Sequence, residues 1–448
     1  MRAPKLSRLL GAMLLAALLL ATPPAMAETL ILRDFTLIDG TGKAPLGQAA
    51  MVIEDGRIRW VGPAARLEAP ANAKTVRLPG KFVMPGLIDT HVHLGLTTDG
   101  YTVDAENQTM SNVEAQLRTY ARYGVTTVQS QGTDQDIILR MRDAQRSTRP
   151  REARIYSAGL GIVAAGGYGG LAGVTKPVAT PAEAEQAVDR EARRHVDLIK
   201  FWLDSELGTM PLMPPDLSAA TIEAAHAHKL RVVSHIFYLD DARRVLSQGV
   251  DGLTHAVRDQ LVDQPLIEGM KRGKQWQMAS TLAREQALFA YGARAPWLDD
   301  PFFRQAVPAA TLTLLASPEH QAKIAAGAHF DELAGFLENA KRNLKRLADA
   351  GVLYAMGTDA GGPWRFPGHA EHAELELMVE AGLTPMQAIV ASTASGAKFL
   401  QAEDLGTLEQ GKWADLIVLD ANPLAEIRNS RTIHAVYIAG QSVPSIER

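Results

Sequence analysis

The sequence predicts an α/β fold: a (β/α)8 TIM-like barrel with a small β-sandwich beside it. Three observations carry this. Eight short apolar segments between residues 84 and 360 alternate with helical patterns. The two ends, residues 28–83 and 405–448, are hairpin-like and punctuated by Gly and Pro. Polar residues foreign to buried strands fall at the C-terminal ends of those strands, where barrel active sites lie.

Taken in order, the chain opens with a basic stretch (Arg2, Lys5, Arg8) and an apolar run from Leu9 to Ala21. Ala25 and Ala27 then stand where a cleavage site needs small residues. This predicts a signal peptide over residues 1–27 and an exported, periplasmic protein with no stable membrane anchor after cleavage. The apolar run is short for a membrane span. About 420 residues remain, enough for a large core with an appended module. A net charge of −4 gives no general attraction to nucleic acid. The chain has no cysteine, which excludes disulfides.

The ends, with "TLILRDFTLIDGTG" and "AAMVIEDGRIRWVGP" early and "GTLEQGKWADLIVLD" late, are expected to pair into one composite domain, 28–83 with 405–448. Residues 84–404 make the barrel. Its strands are read in "MPGLIDTHVHL" (84–94), "GVTTVQSQ" (124–131), "ARIYSAGL" (153–160) and "VDLIKFWL" (196–203). They continue in "LRVVSHIF" (230–237), "GVDGLTHA" (249–256), "KQWQMAST" (274–281) and "GVLYAMGTDA" (351–360). Among the helices, residues 180–195 begin with Thr180 as cap, Pro181 in the first turn and Glu183 completing a capping box. Residues 283–347 are too long for a plain connection and read as a helical insertion roofing the mouth.

His91 and His93 stand two apart on a strand, so both imidazoles face one side and can grip one ion. His235, His255 and Asp359 end the fifth, sixth and eighth strands, and Lys200 lies near the end of the fourth. One histidine at a strand end is ordinarily a core residue; six such groups at consistent strand ends point to a metal site. His226 and His228, two apart in a helical stretch, face apart and read as surface. His369 and His372 read as residues of a helix surface. Lys200 poses its own question, because an ammonium in an apolar strand needs a partner or must cease to be one. An ion pair with Asp204 or Glu206 is the plain alternative.

These residues also carry a resemblance. "MPGLIDTHVH", "DLIKFW", "VVSHIF", "GLTHA", "GTDAG" and "GTLEQGKWADLIVLDANPL" are similar to the amidohydrolase superfamily, in its imidazolonepropionase-like and Xaa-Pro-dipeptidase-like branch. The resemblance implies two divalent metal ions, commonly zinc, joined by a carbamate formed from carbon dioxide on Lys200. His91, His93 and Asp359 would hold the more buried ion, and His235 and His255 the outer one. Cobalt or manganese suits the same ligands. The implied reaction is hydrolysis of an amide or peptide C–N bond by a metal-bridging hydroxide, with Asp359 as general base and His255 shaping the oxyanion pocket. The implied substrate is a small molecule, a dipeptide or N-acyl amino acid. Relatives often assemble, which implies a homo-oligomer. Tyr168, Tyr238, Arg258 and Arg284 are the candidate substrate contacts, the arginines as clamps for a carboxylate. A lactonase, esterase or phosphotriesterase at the same centre, or a periplasmic binding protein without turnover, are the alternatives.

Overall fold

The computed structural model describes residues 29–278 and 280–445; the predicted signal peptide lies outside the described residues. The first barrel strand, Leu87–Val92, pairs in parallel with Val125–Ser130, and that with Arg154–Ser157. A second parallel arc runs from Ile199–Trp202 through Val232–His235, Gly252–Thr254 and Trp276–Met278 to Leu353–Ala355. Two short strands, Ile162–Ala164 and Lys176–Val178, extend that arc beside Ile199–Trp202. The ladders are thus two arcs, and backbone hydrogen bonds bridge both seams. On one side Asp197 N–H donates to Ser157 O at 2.8 Å. On the other, Thr90 N–H donates to Met356 O at 3.0 Å, and Asp359 N–H to His91 O at 2.7 Å. Every residue of Leu87–Val92 and Ile199–Trp202 is buried, as expected for strands covered on both faces.

Local chemistry explains the helix starts. Thr180 Oγ1 accepts from Glu183 N–H at 3.3 Å to open helix Pro181–Arg193. The Glu183 carboxylate returns to Ala179 N–H at 2.7 Å, one residue before the expected cap.

The ends of the chain share one eight-stranded sheet. Thr29–Leu37 pairs antiparallel with Leu46–Glu54, and parallel with Lys74–Arg77 and then Phe82–Pro85 along its length. Leu416–Leu419 completes the join by pairing antiparallel with Phe82–Pro85. Leu32, Phe35, Met51, Val83, Leu416 and Val418 form its apolar core. Arg154, at the base of the barrel, donates twice to Asp415 at 2.7 and 3.2 Å and ties the sheet to the barrel.

Between the seventh and eighth barrel strands, the described residues form five helices, from Leu282–Ala290 to Phe330–Asp349. They hold their own apolar cluster around Tyr291, Leu298, Phe303 and Leu315, which reaches Phe366 after the last strand. Among the described residues no helix is long and apolar enough to cross a membrane.

Candidate active site

The strand ends bring the six expected groups together. His93 Nε2 lies 2.9 Å from Asp359 Oδ1, and His91 Nε2 lies 3.5 Å from the same oxygen. Ligand atoms of His91, His93 and Asp359 all fall within 4.8 Å of one another. The rings of His91 and His255 are centred 4.8 Å apart, and those of His235 and His255 4.2 Å apart. All six side chains are buried. His255 and Asp359 have φ of 71° and 64°, a left-handed backbone that non-glycine residues rarely adopt. Such strain persists where the surroundings enforce it and clusters at functional sites.

The imidazoles are aimed from behind. His93 Nδ1 bonds to Thr133 Oγ1 at 2.8 Å, and His255 Nδ1 to Thr281 Oγ1 at 2.8 Å. His235 Nε2 is held by Asp204 Oδ2 at 2.7 Å. Each of these three rings therefore has one nitrogen fixed, the kind of support that orients metal ligands. His91 Nδ1 is buried without a hydrogen-bond partner among the described residues.

Electrostatics favour neutral bases here. Burial pushes His235 down to about 4 and holds His91 and His255 well below the usual histidine range. Burial also lowers Lys200 to about 7, against the opposing pull of Asp359. Lys200 Nζ donates to Thr254 Oγ1 at 2.6 Å. The ordinary ion pair is absent among the described residues, because Asp204 faces His235 and Arg258 instead. For Asp359, burial alone would raise the pKa, but Arg365, His91 and His93 outweigh it and hold the carboxyl well below the usual carboxylate range.

One chamber opens from this cluster and a second adjoins it, sharing four lining residues. The smaller, about 310 Å³, is lined by His93, His235, His255 and Asp359. The larger, about 530 Å³, is walled by Phe237, Leu288, Leu333, Phe336 and Trp364, so the insertion covers one side of it. Tyr168, Glu206, Pro363 and Arg365 line both. A groove of about 1000 Å³ elsewhere, between Lys81, Arg122 and Arg431, is larger but contains none of the six groups.

Of the expected substrate contacts, Arg258, Arg284 and Tyr168 line the larger chamber, but both arginines are engaged with neighbours. Arg258 is 1% exposed; its Nη1 donates to Ile236 O and Ala256 O, and its Nε pairs with Glu285 at 3.2 Å. It is a strut, not a free clamp. Arg258→Ala should cost about 1–3 kcal/mol, because it leaves the buried Ile236 and Ala256 carbonyls without this donor and takes one of two arginines from Glu285. A thermal melt checks this; an unchanged Tm with a raised KM would restore the clamp. Arg284 is also engaged, with Glu285 at 2.5 Å and Asp359 Oδ2 at 3.0 Å. Tyr168 lies where expected, its ring 5.1 Å from that of His235. Tyr238 does not: it precedes helix Leu239–Ser247, packs on Phe237 and lines neither chamber.

Among the other histidines, His226 and His228 are surface residues, paired with Asp251 and Asp189. His369 and His372 are buried, contrary to expectation; His372 bonds to Ser430 Oγ and Tyr123 O, each at 2.8 Å. Nothing in the sequence pointed to Arg365, whose Nε donates to Asp359 O at 2.8 Å. Nor did it single out Asp89, whose carboxylate accepts from His91 N–H at 2.8 Å and from Thr358 Oγ1 at 2.5 Å. Asp89 directly precedes "THVH", so a question about what supports that turn would have found it.

Comparison with known proteins fits this geometry. Residues 82–443 match the amidohydrolase family. The chain belongs to that family. This amidohydrolase is 28% identical over 400 residues to an imidazolonepropionase of Streptomyces avermitilis, covering 85% of this chain and 83% of that one. A structure provisionally assigned as a prolidase, from Bifidobacterium longum, superimposes with a TM-score of 0.72 at 27% identity, covering 94% and 96% of the two chains. A Xaa-Pro dipeptidase with methionine bound in its active site has a TM-score of 0.74 at 23% identity, covering 93% and 99%, and supports the fold. The protein is accordingly a hydrolase acting on C–N bonds. The same relatives correct the expected location. The exported, periplasmic reading does not stand beside these matches to imidazolonepropionases.

Proposed function

We propose that this amidohydrolase cleaves the C–N bond of a dipeptide or N-acyl amino acid at a two-metal centre. The observation that carries the reading is the convergence of four neutral imidazoles, Lys200 and Asp359 at one buried point. Similarity to a provisional prolidase and to imidazolonepropionases supports it.

The donor set fits divalent metal ions, zinc foremost. Metal ligation needs unprotonated ligands, and burial supplies them. His91, His93 and Asp359 would hold one ion, and His235 and His255 the other. Lys200, easily deprotonated where it lies, would bridge them as a carbamate. When bound, the ions polarise the scissile carbonyl and acidify a water. Asp359 accepts the proton of the attacking water and returns it to the departing nitrogen. Arg365 and Arg284 keep that carboxylate ionised and aimed. Two chambers meeting at one wall suit an amide with a substituent on either side.

The test is a panel of dipeptides, N-acyl amino acids, aryl esters, lactones and an organophosphate, followed by mass spectrometry with zinc-loaded protein. Release of free amine from the amides is expected. Turnover confined to esters or phosphotriesters would overturn the amide reading.

A further inference from the structure

The loop after the fourth barrel strand has an unusual backbone. Glu206 and Leu207 have φ of 45° and 55°, and Gly208 follows at 86°, three consecutive residues in the left-handed region. Only the last is a glycine, so the turn is strained, and it is held from within the site. Asp204 Oδ1 accepts from Glu206 N–H at 2.8 Å, while Asp204 Oδ2 holds His235. Thr209 Oγ1 donates to Glu206 O at 2.7 Å. The loop is therefore fixed to the same carboxylate that orients an imidazole of the centre.

This geometry puts Glu206 on the wall shared by the two chambers. Among the described residues its carboxylate has no ion pair or hydrogen bond, although Arg258, Arg284 and Arg365 line the larger chamber with it. Those arginines are occupied by Glu285, Asp204 and Asp359. Glu206 is thus a solvent-exposed carboxylate on the rim where the two chambers meet, on a backbone that costs energy to maintain.

We infer that Glu206 receives the α-ammonium group of the substrate, so that the site selects unblocked dipeptides over N-acyl amino acids. This rests on the amide-hydrolase reading above and narrows its substrate class. In a dipeptide the ammonium is one carbon removed from the scissile carbonyl. Glu206 lines the same chamber as His93, His235, His255 and Asp359, so a substrate whose carbonyl lies at that cluster presents its ammonium within this chamber. An N-acyl amino acid with a plain hydrocarbon acyl group offers no cation there and would leave Glu206 unpaired.

The test uses two substrates differing only in the ammonium: leucyl-phenylalanine and its des-amino counterpart, 4-methylpentanoyl-phenylalanine. The wild-type zinc-loaded enzyme should favour the dipeptide at least about tenfold in kcat/KM, and Glu206→Gln should reduce that ratio at least about tenfold, chiefly through the KM of the dipeptide. Glu206→Asp, which keeps the charge on a shorter arm, should recover part of the preference. A purely structural role for the loop would lower kcat for both substrates and leave their ratio unchanged. Equal wild-type turnover of both, or a ratio unmoved by Glu206→Gln, overturns the assignment while leaving amide hydrolysis intact. No turnover of either amide, with turnover of esters, overturns the amide reading and this assignment together.

Discussion

Asp359→Asn should lower kcat for amide substrates by about 100-fold to 10,000-fold, the range that a positioned proton carrier supplies. The substitution keeps the size of the side chain and removes its basicity. Asp359 is the point where the site's contacts meet: His93 at 2.9 Å, Arg284 at 3.0 Å and Arg365 at 3.5 Å all face its carboxylate. An amide nitrogen on that side would face the two guanidinium groups, so the amide orients its oxygen toward them and the lone-pair acceptor for a water proton is lost. Binding should survive, because Asn keeps the shape of the side chain in the smaller chamber and the larger one is walled by other residues. Steady-state kinetics with metal-loaded variant, beside binding of an uncleaved substrate analogue, checks this. A kcat within about tenfold of wild type would remove Asp359 from its assigned role.

The second large effect is expected at Lys200. Lys200→Met preserves bulk and folding but supplies no nitrogen to carry a carbamate. It should reduce bound zinc below two per chain and lower kcat at least about 100-fold. Lys200→Ala should behave likewise, with partial recovery on adding acetate or propionate, because the emptied space admits a small carboxylate as a bridging ligand. The alternative is a lysine kept only for its hydrogen bond to Thr254. On that view Lys200→Met would bind two metals and turn over normally. Metal analysis and kinetics on the same sample separate the two.

How much of this was legible beforehand depends on what each feature rests on. His91, His93, Lys200, His235, His255 and Asp359 were found because strand alternation and strand ends fix position without knowledge of loops. The barrel order followed from the same alternation. The sequence pairs Thr133 with no histidine and Thr281 with none, because those contacts cross between loops of different units. The ion pairs of Arg258 and Arg284, which line the larger chamber, were not legible for a related reason. Their place just past a strand is correct, but Glu285, one residue from Arg284 on helix Leu282–Ala290, draws both guanidinium groups inward. His369 and His372 lie on helix His369–Glu380, whose charged composition resembles a surface. The insertion and the Ile427–Arg431 turn cover it, so these polar residues are buried.

The most direct test of the account is amine release from a dipeptide as zinc is returned to metal-free protein. No turnover is expected without metal, with a rise that levels off at two equivalents per chain. Turnover that persists after chelation, or that is complete at one equivalent, would contradict the two-metal centre.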